Sequence, residues 1–140
     1  MIQLGRSLPA AWPTHTVGLS ELSVKDTQVG DAGCLRVAAS LQLTAVNVSG
    51  THVTAHCLAA LSRIATLTEL DADGIRLRGG ELQFATMSRI ASLSLDGTAV
   101  DDRALGALLT LRSLHELHAR GTRLTNRARR RLAAAGIAVE

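Results

Sequence analysis

Four carboxylates crowd the middle of this sequence, Glu69, Asp71, Asp73 and Asp96, and the run "DAD" at residues 71–73 sets two of them one residue apart. Paired Asp side chains are hard oxygen donors of the kind that hold a divalent cation. A D-x-D pair alone is a weak signal, however, and no Gly-rich phosphate loop accompanies it. Alternate residues on a strand also sit about 6.5–7 Å apart, too far for close chelation. A second cluster, "HVTAHC", offers His52, His56 and Cys57. Zinc takes four ligands in a compact set, and no second cluster supplies the rest. Nowhere do a nucleophile, a base and an orienting group converge. Catalysis, a metal and any other cofactor are therefore not expected.

Charge is the next feature with chemical content. Residues 112–140 hold seven arginines against Glu116 and Glu140, leaving five positive charges, so the rest of a chain of net charge +3 carries −2. Arg123, Arg127, Arg129, Arg130 and Arg131 form the densest part. Such a cluster can engage RNA, an acidic protein tail or anionic lipid. Trp12 and Phe84 are far from it in sequence, and without aromatic platforms for base stacking nucleic acid is disfavoured.

The elements that must position these groups follow from an internal repeat. With Thr27, Thr51, Ile75, Thr98 and Thr122 as anchors, the spacings are 24, 24, 23 and 24 residues. Eight residues before each anchor stand Leu19, Leu43, Leu67, Ile90 and Leu114; five before, Leu22, Val46, Leu70, Leu93 and Leu117. Three before stand Val24, Val48, Ala72, Leu95 and Ala119; two after, Val29, Val53, Leu77, Val100 and Leu124. All of these positions are aliphatic in a chain only 46% hydrophobic, so the period is not a chance of composition. Apolar residues at −5 and −3 between polar neighbours predict a short half-buried strand. Apolar residues at +7 and +10, such as Leu58 and Leu61, predict a helix or 3-10 turn behind it. Thr54, Asp101 and Thr125 at +3 are placed to cap those helices. In the third unit, Gly79 and Gly80 argue against a regular helix start.

The pattern in "IASLSLDGTAV" and "LHELHARGTRL" resembles the leucine-rich repeat, with Thr in place of the more usual Asn. "VDDRALGALLTL" is similar to the continuation in some bacterial and kinetoplastid members of that family. The resemblance covers about Leu19 to Leu132 and implies an α/β solenoid of about five repeats, with a concave parallel β-sheet and helices or 3-10 turns on the convex face. It divides the chain into an N-terminal cap over 1–18, including Leu8, Pro9, Trp12, Pro13 and Val17, the repeats over 19–132 and a C-terminal cap over 133–140. Five coils are few for the family, which fits a small adaptor or part of a longer array.

The resemblance also makes the concave face the expected binding surface, carrying Glu69, Asp71, Asp73, Ser94, Asp96, Glu116, His118 and Arg120. Its acidic middle fits a protein partner of basic character, with Asp96 and Arg120 as an incidental pair. The expected function is a non-catalytic protein-interaction module, a scaffold or adaptor. The competing expectation is a structural subunit of a cytoskeletal or ribonucleoprotein assembly, docked through the basic patch Arg123, Arg127, Arg129, Arg130 and Arg131 or through the convex face.

No apolar run reaches the roughly 20 residues of a membrane span, and the first residues lack a signal peptide's continuous apolar stretch. Cys34 and Cys57 are too few for a disulfide scaffold. Cys34 takes a +7 core position and Cys57 a +6 position one coil on, near enough to pair, but two free thiols are expected. These features point to an intracellular, cytoplasmic setting.

Overall fold

The structure, a computed structural model, describes residues 2–3, 20–40, 42–82 and 89–140. Of the N-terminal cap expected over 1–18, all but Ile2 and Gln3 lie outside them, as do Leu19 and Phe84. Each −5 and −6 phrase forms a three-residue strand: β2 (Glu21–Ser23), β3 (Ala45–Asn47), β4 (Glu69–Asp71), β5 (Ser92–Ser94) and β6 (Glu116–His118). Two further strands, β1 (Ile2–Gln3) and β7 (Ala138–Val139), flank them. All pair in parallel and in chain order, giving one sheet β1-β2-β3-β4-β5-β6-β7. The register sets Leu22, Val46, Leu70, Leu93 and Leu117 side by side, as the repeat predicts. Residues 133–140, expected as a cap, supply the end of a helix and the edge strand β7.

Between strands the chain crosses the other layer through α1 (Asp31–Ser40), α2 (Ala55–Leu61), α3 (Leu105–Leu109) and α4 (Asn126–Ala134), with 3-10 turns at Gly79–Glu81 and Asp102–Ala104. The fold is thus an α/β arrangement of parallel strands alternating with helices. Among the described residues of the third unit, the stretch behind the strand forms a 3-10 turn at Gly79–Glu81. The aliphatic columns meet in one core, where Leu43, Leu67, Ile90, Leu70, Leu93 and Leu117 are fully or almost fully enclosed.

The anchor threonines close each strand exit. The hydroxyls of Thr27, Thr51, Thr98 and Thr122 each donate to the carbonyl three residues back, at 2.6–2.7 Å. The residue before each anchor has positive φ: Asp26, Gly50, Gly74, Gly97 and Gly121, between 58° and 69°. A Cβ is costly there, which is why four of five are glycine and the fifth is Asp, one of the side chains that tolerate this region. At the helix starts, Thr54 accepts from the His56 N–H, Asp101 from the Arg103 N–H and Thr125 from the Ala128 N–H. The three predicted caps hold.

One expectation fails. Cys34 and Cys57 form a disulfide, with Cα atoms 5.6 Å apart. Both sulfurs belong to the core, the residues being 2% and 0% exposed. Consecutive coils carry these positions, 23 residues apart, to bridging distance, and the two free thiols expected are corrected to one bond. With the bond in place, the cysteine count no longer argues for a reducing compartment. Among the described residues, no helix is long and apolar enough to cross a membrane.

Candidate functional site

Strand alternation points every other residue out of the sheet face opposite the core. The pairing aligns Glu21, Ala45, Glu69, Ser92, Glu116 and Ala138 in one outward row, and Ser23, Asn47, Asp71, Ser94 and His118 in the next. The eight residues expected to bind fall on the outward side of β4 to β6 and at the strand exits beside it, with Ser94 buried, its hydroxyl held by Asp73. Ala45, small between Glu21 and Glu69, leaves a shallow depression floored by β2 to β4 that reaches Asp71.

Their partners divide them into two groups. Asp73 and Asp96 are committed to the fold. At the exits of β4, β5 and β6 one N–H is taken by the side chain of the preceding coil, whereas the Ser49 N–H goes to Asn47 Oδ1 of its own coil. Ser49 Oγ accepts from the Asp73 N–H at 3.0 Å, Asp73 Oδ1 from the Asp96 N–H at 2.8 Å, and Asp96 Oδ1 from the Arg120 N–H at 2.7 Å. The Ser94 hydroxyl also donates to Asp73 Oδ1. The expected Asp96–Arg120 ion pair is thus replaced by a bond to the Arg120 backbone. The Arg120 guanidinium turns instead to Glu140, at 2.6 Å.

His118 has Glu116 Oε1 at 3.2 Å from Nε2 and Glu140 Oε2 at 3.4 Å from Nδ1. Glu116, His118, Arg120 and Glu140 form one network tying β6 to the edge strand. Glu140 is not among the expected site residues; in "GIAVE" the larger apolar Ile137 and Val139 alternate with the small Ala138 and then Glu140, a weaker form of the pattern of the other strands.

Glu69 and Asp71 remain. Glu69 is exposed; Asp71 is half-buried and accepts from Asn47 Nδ2 at 3.2 Å. Burial raises the Asp71 pKa above the ordinary aspartate value, and the neighbouring charges of Glu69 and Asp73 raise it further; His118 and Lys25 pull the other way. β4 thus carries the concentration of negative charge that the rest of the face does not neutralise.

No protein-family model matches the chain, and no curated protein matches it.

The remaining candidate constellations are explained by the stacking of coils. Asp31 accepts from the Thr54 N–H and hydroxyl, at 2.8 and 2.6 Å, with His56 Nδ1 3.3 Å from that hydroxyl. An Asp, a hydroxyl and an imidazole in line invite a catalytic reading. The same clamp recurs where Asp102 accepts from the Thr125 N–H and hydroxyl, also at 2.8 and 2.6 Å, and Arg127 stands there in place of His56. The clamp is a staple between helix starts of successive coils, and its signal, an acid one residue after the +3 position in the first and fourth coils, is legible in the sequence. Among the described residues no group of three His, Cys, Asp or Glu side chains is arranged to hold a metal ion.

Hydrogen bonds from the Thr125 hydroxyl and N–H, in that order, lower the Asp102 pKa below its ordinary 3.8. A lowered carboxyl pKa contributes stability above the unfolded value and loses it as pH falls through the folded value. Asp102→Asn should therefore lower the midpoint of thermal unfolding at pH 7, and the gap from wild type should close in melts taken progressively below pH 3.8. A gap that persists in strong acid would mean that the staple does not depend on the charge.

The basic patch also divides. Arg123, Arg127, Arg130 and Arg131 are exposed. Arg129, at the +7 position where other coils place an apolar residue, is half-buried, and its guanidinium donates to the Ala119 carbonyl at 2.6 Å and Thr122 Oγ1 at 3.3 Å. It caps backbone of the last full coil and is not part of the exposed patch.

Proposed function

We propose that the chain is a leucine-rich repeat solenoid that acts as a non-catalytic protein-interaction module, binding a protein partner of basic character through its open sheet face. The observation that carries the reading is the charge on β4. Ionised Asp71 costs stability at neutral pH, because a raised carboxyl pKa means that the folded state binds the proton more tightly than the unfolded one. Local rules are broken most often where function requires it. A basic side chain docking beside Glu69 and Asp71 would relieve the crowding. Because the strands are ordered before binding, little conformational entropy is lost on docking.

The test avoids Asp73 and Asp96, whose loss would leave backbone N–H groups without acceptors. Glu69→Gln with Asp71→Asn removes two charges, while the amide introduced in place of the Asp71 carboxylate can still accept from Asn47. Affinity capture with mass spectrometry is expected to find partners that bind the wild type at least tenfold better than this variant, with capture weakening as salt rises. The variant should melt no lower than wild type at pH 7. Partners retained in full by a folded variant would remove the sheet face from consideration.

A further inference from the structure

We propose that the outward face of α4 is a second docking surface, for a short acidic peptide segment of a protein partner. The helix carries Arg127, Arg129, Arg130 and Arg131 and no acidic residue. Arg127 lies three and four residues before Arg130 and Arg131, so like charges are neighbours on the helix surface, an arrangement that destabilises a helix. Arg127 in the first turn is also opposed by the positive end of the helix dipole.

The carboxylates nearest in the fold offset this repulsion only in part: the charge of Asp102 acts on Arg127 and that of Asp101 on Arg123, with no direct ion pair to either. Asp101 is taken by the Arg103 guanidinium at 2.8 Å, Asp102 by Thr125, and Glu140 by Arg120 and His118. Among the described residues, Arg123, Arg127, Arg130 and Arg131 make no ion pair. Ala128 and Leu132 bury the opposite side of the helix and fix its orientation, so the arginines are presented as a set that an incoming anion would neutralise.

The occupant is narrowed by what surrounds them. The apolar side of α4 is spent on the core, and its outward side adds only Asn126, Ala133 and Ala134 to the arginines, so nothing there can enter a lipid layer. The basic surface does not continue onto the preceding coil, where Asp101 and Asp102 lie. A nucleic-acid strand, charged every 3.4 Å or so of its length, would meet Asp101 and Asp102 on leaving the helix, where Arg103 is already paired with Asp101. Arg127 and Arg131 are about 6 Å apart along the helix. That compact set suits three or four carboxylates, each held by a guanidinium fork through two parallel hydrogen bonds.

The test is fluorescence anisotropy of a labelled ten-residue Asp/Glu peptide, with a 20-nucleotide uridine RNA and vesicles of 30% phosphatidylserine as competitors. It compares wild type with Arg127→Gln/Arg130→Gln/Arg131→Gln and with Arg63→Gln/Arg76→Gln/Arg89→Gln, which removes the same charge from exposed arginines elsewhere. The α4 variant should bind the peptide at least tenfold more weakly and the control less than twofold. The α4 variant should also melt at or above the wild-type temperature, since repulsion has been removed. Absence of peptide binding at 50 mM salt, or equal loss in both variants, would overturn the proposal. So would tighter, α4-dependent binding of the RNA or the vesicles, which would pass this face to a phosphate-bearing partner.

Discussion

Reducing the Cys34–Cys57 disulfide is expected to cost about 3 kcal/mol of folding stability, the chain-entropy value for a closed loop of this size. The two residues are 23 apart in sequence. For a domain whose total stability is about 5–15 kcal/mol, that is a large share. It should lower the unfolding midpoint by roughly 10 °C. The loss should also be local. Among the described residues of α1, Cys34 is buried in the core and Ala38 packs partly against it, whereas α2 buries Leu58 and Leu61 besides Cys57. Without the bond, the described contacts of α1 with the core are the packing of a small thiol and of Ala38. Thermal and urea melts in matched oxidised and reduced samples check the magnitude, and amide exchange over residues 31–40 checks the location. A Cys34→Ala/Cys57→Ala variant in oxidising buffer should reproduce the reduced wild type. If all three samples melt together, the cross-link adds nothing to packing that already holds the first helix.

The disulfide also marks the boundary of what the sequence makes legible. The repeat spacing brings successive coils side by side, and the pairing of Leu22, Val46, Leu70, Leu93 and Leu117 follows from it directly. Spacing alone gives proximity of Cys34 and Cys57, but whether they bond depends on the angle between coils, which no pattern of residue types encodes. The aspartates show the same limit. Asp71 and Asp73 are only two positions apart, yet one stays on the open face and the other folds onto the Asp96 N–H, because the chain leaves the strand between them. The helix faces also shift by a residue. The +6 position faces the core in several coils, Cys57, Ala104 and Ala128 being buried, while Leu105 at +7 is only partly so. The glycine column before the anchors is visible as letters but yields its meaning only once positive φ is considered.

Leu93→Ala is expected to be the most damaging single substitution at the centre of the sheet, costing about 3–4 kcal/mol. Leu93 is 0% exposed and lies between Leu70 and Leu117, which are equally enclosed. The cost of such a truncation depends on how far the neighbours can collapse into the gap. Here they hardly can, because strand pairing holds Leu70 and Leu117 at the inter-strand spacing of about 4.8 Å on either side. Leu124, 7% exposed in the last coil, has packing mainly on one side, and Leu124→Ala should cost about 2 kcal/mol. The difference is best read in urea, where the denaturant slope scales with the surface exposed in the transition. Where each coil touches only its neighbours, cooperativity depends on the interfaces between them. Weakening both interfaces of β5 should therefore lower the slope for Leu93→Ala as the two ends of the sheet begin to unfold separately. Leu124→Ala should shift the midpoint with the slope unchanged. Equal slopes for both variants would show that the coils unfold as one unit even when the central leucine is gone.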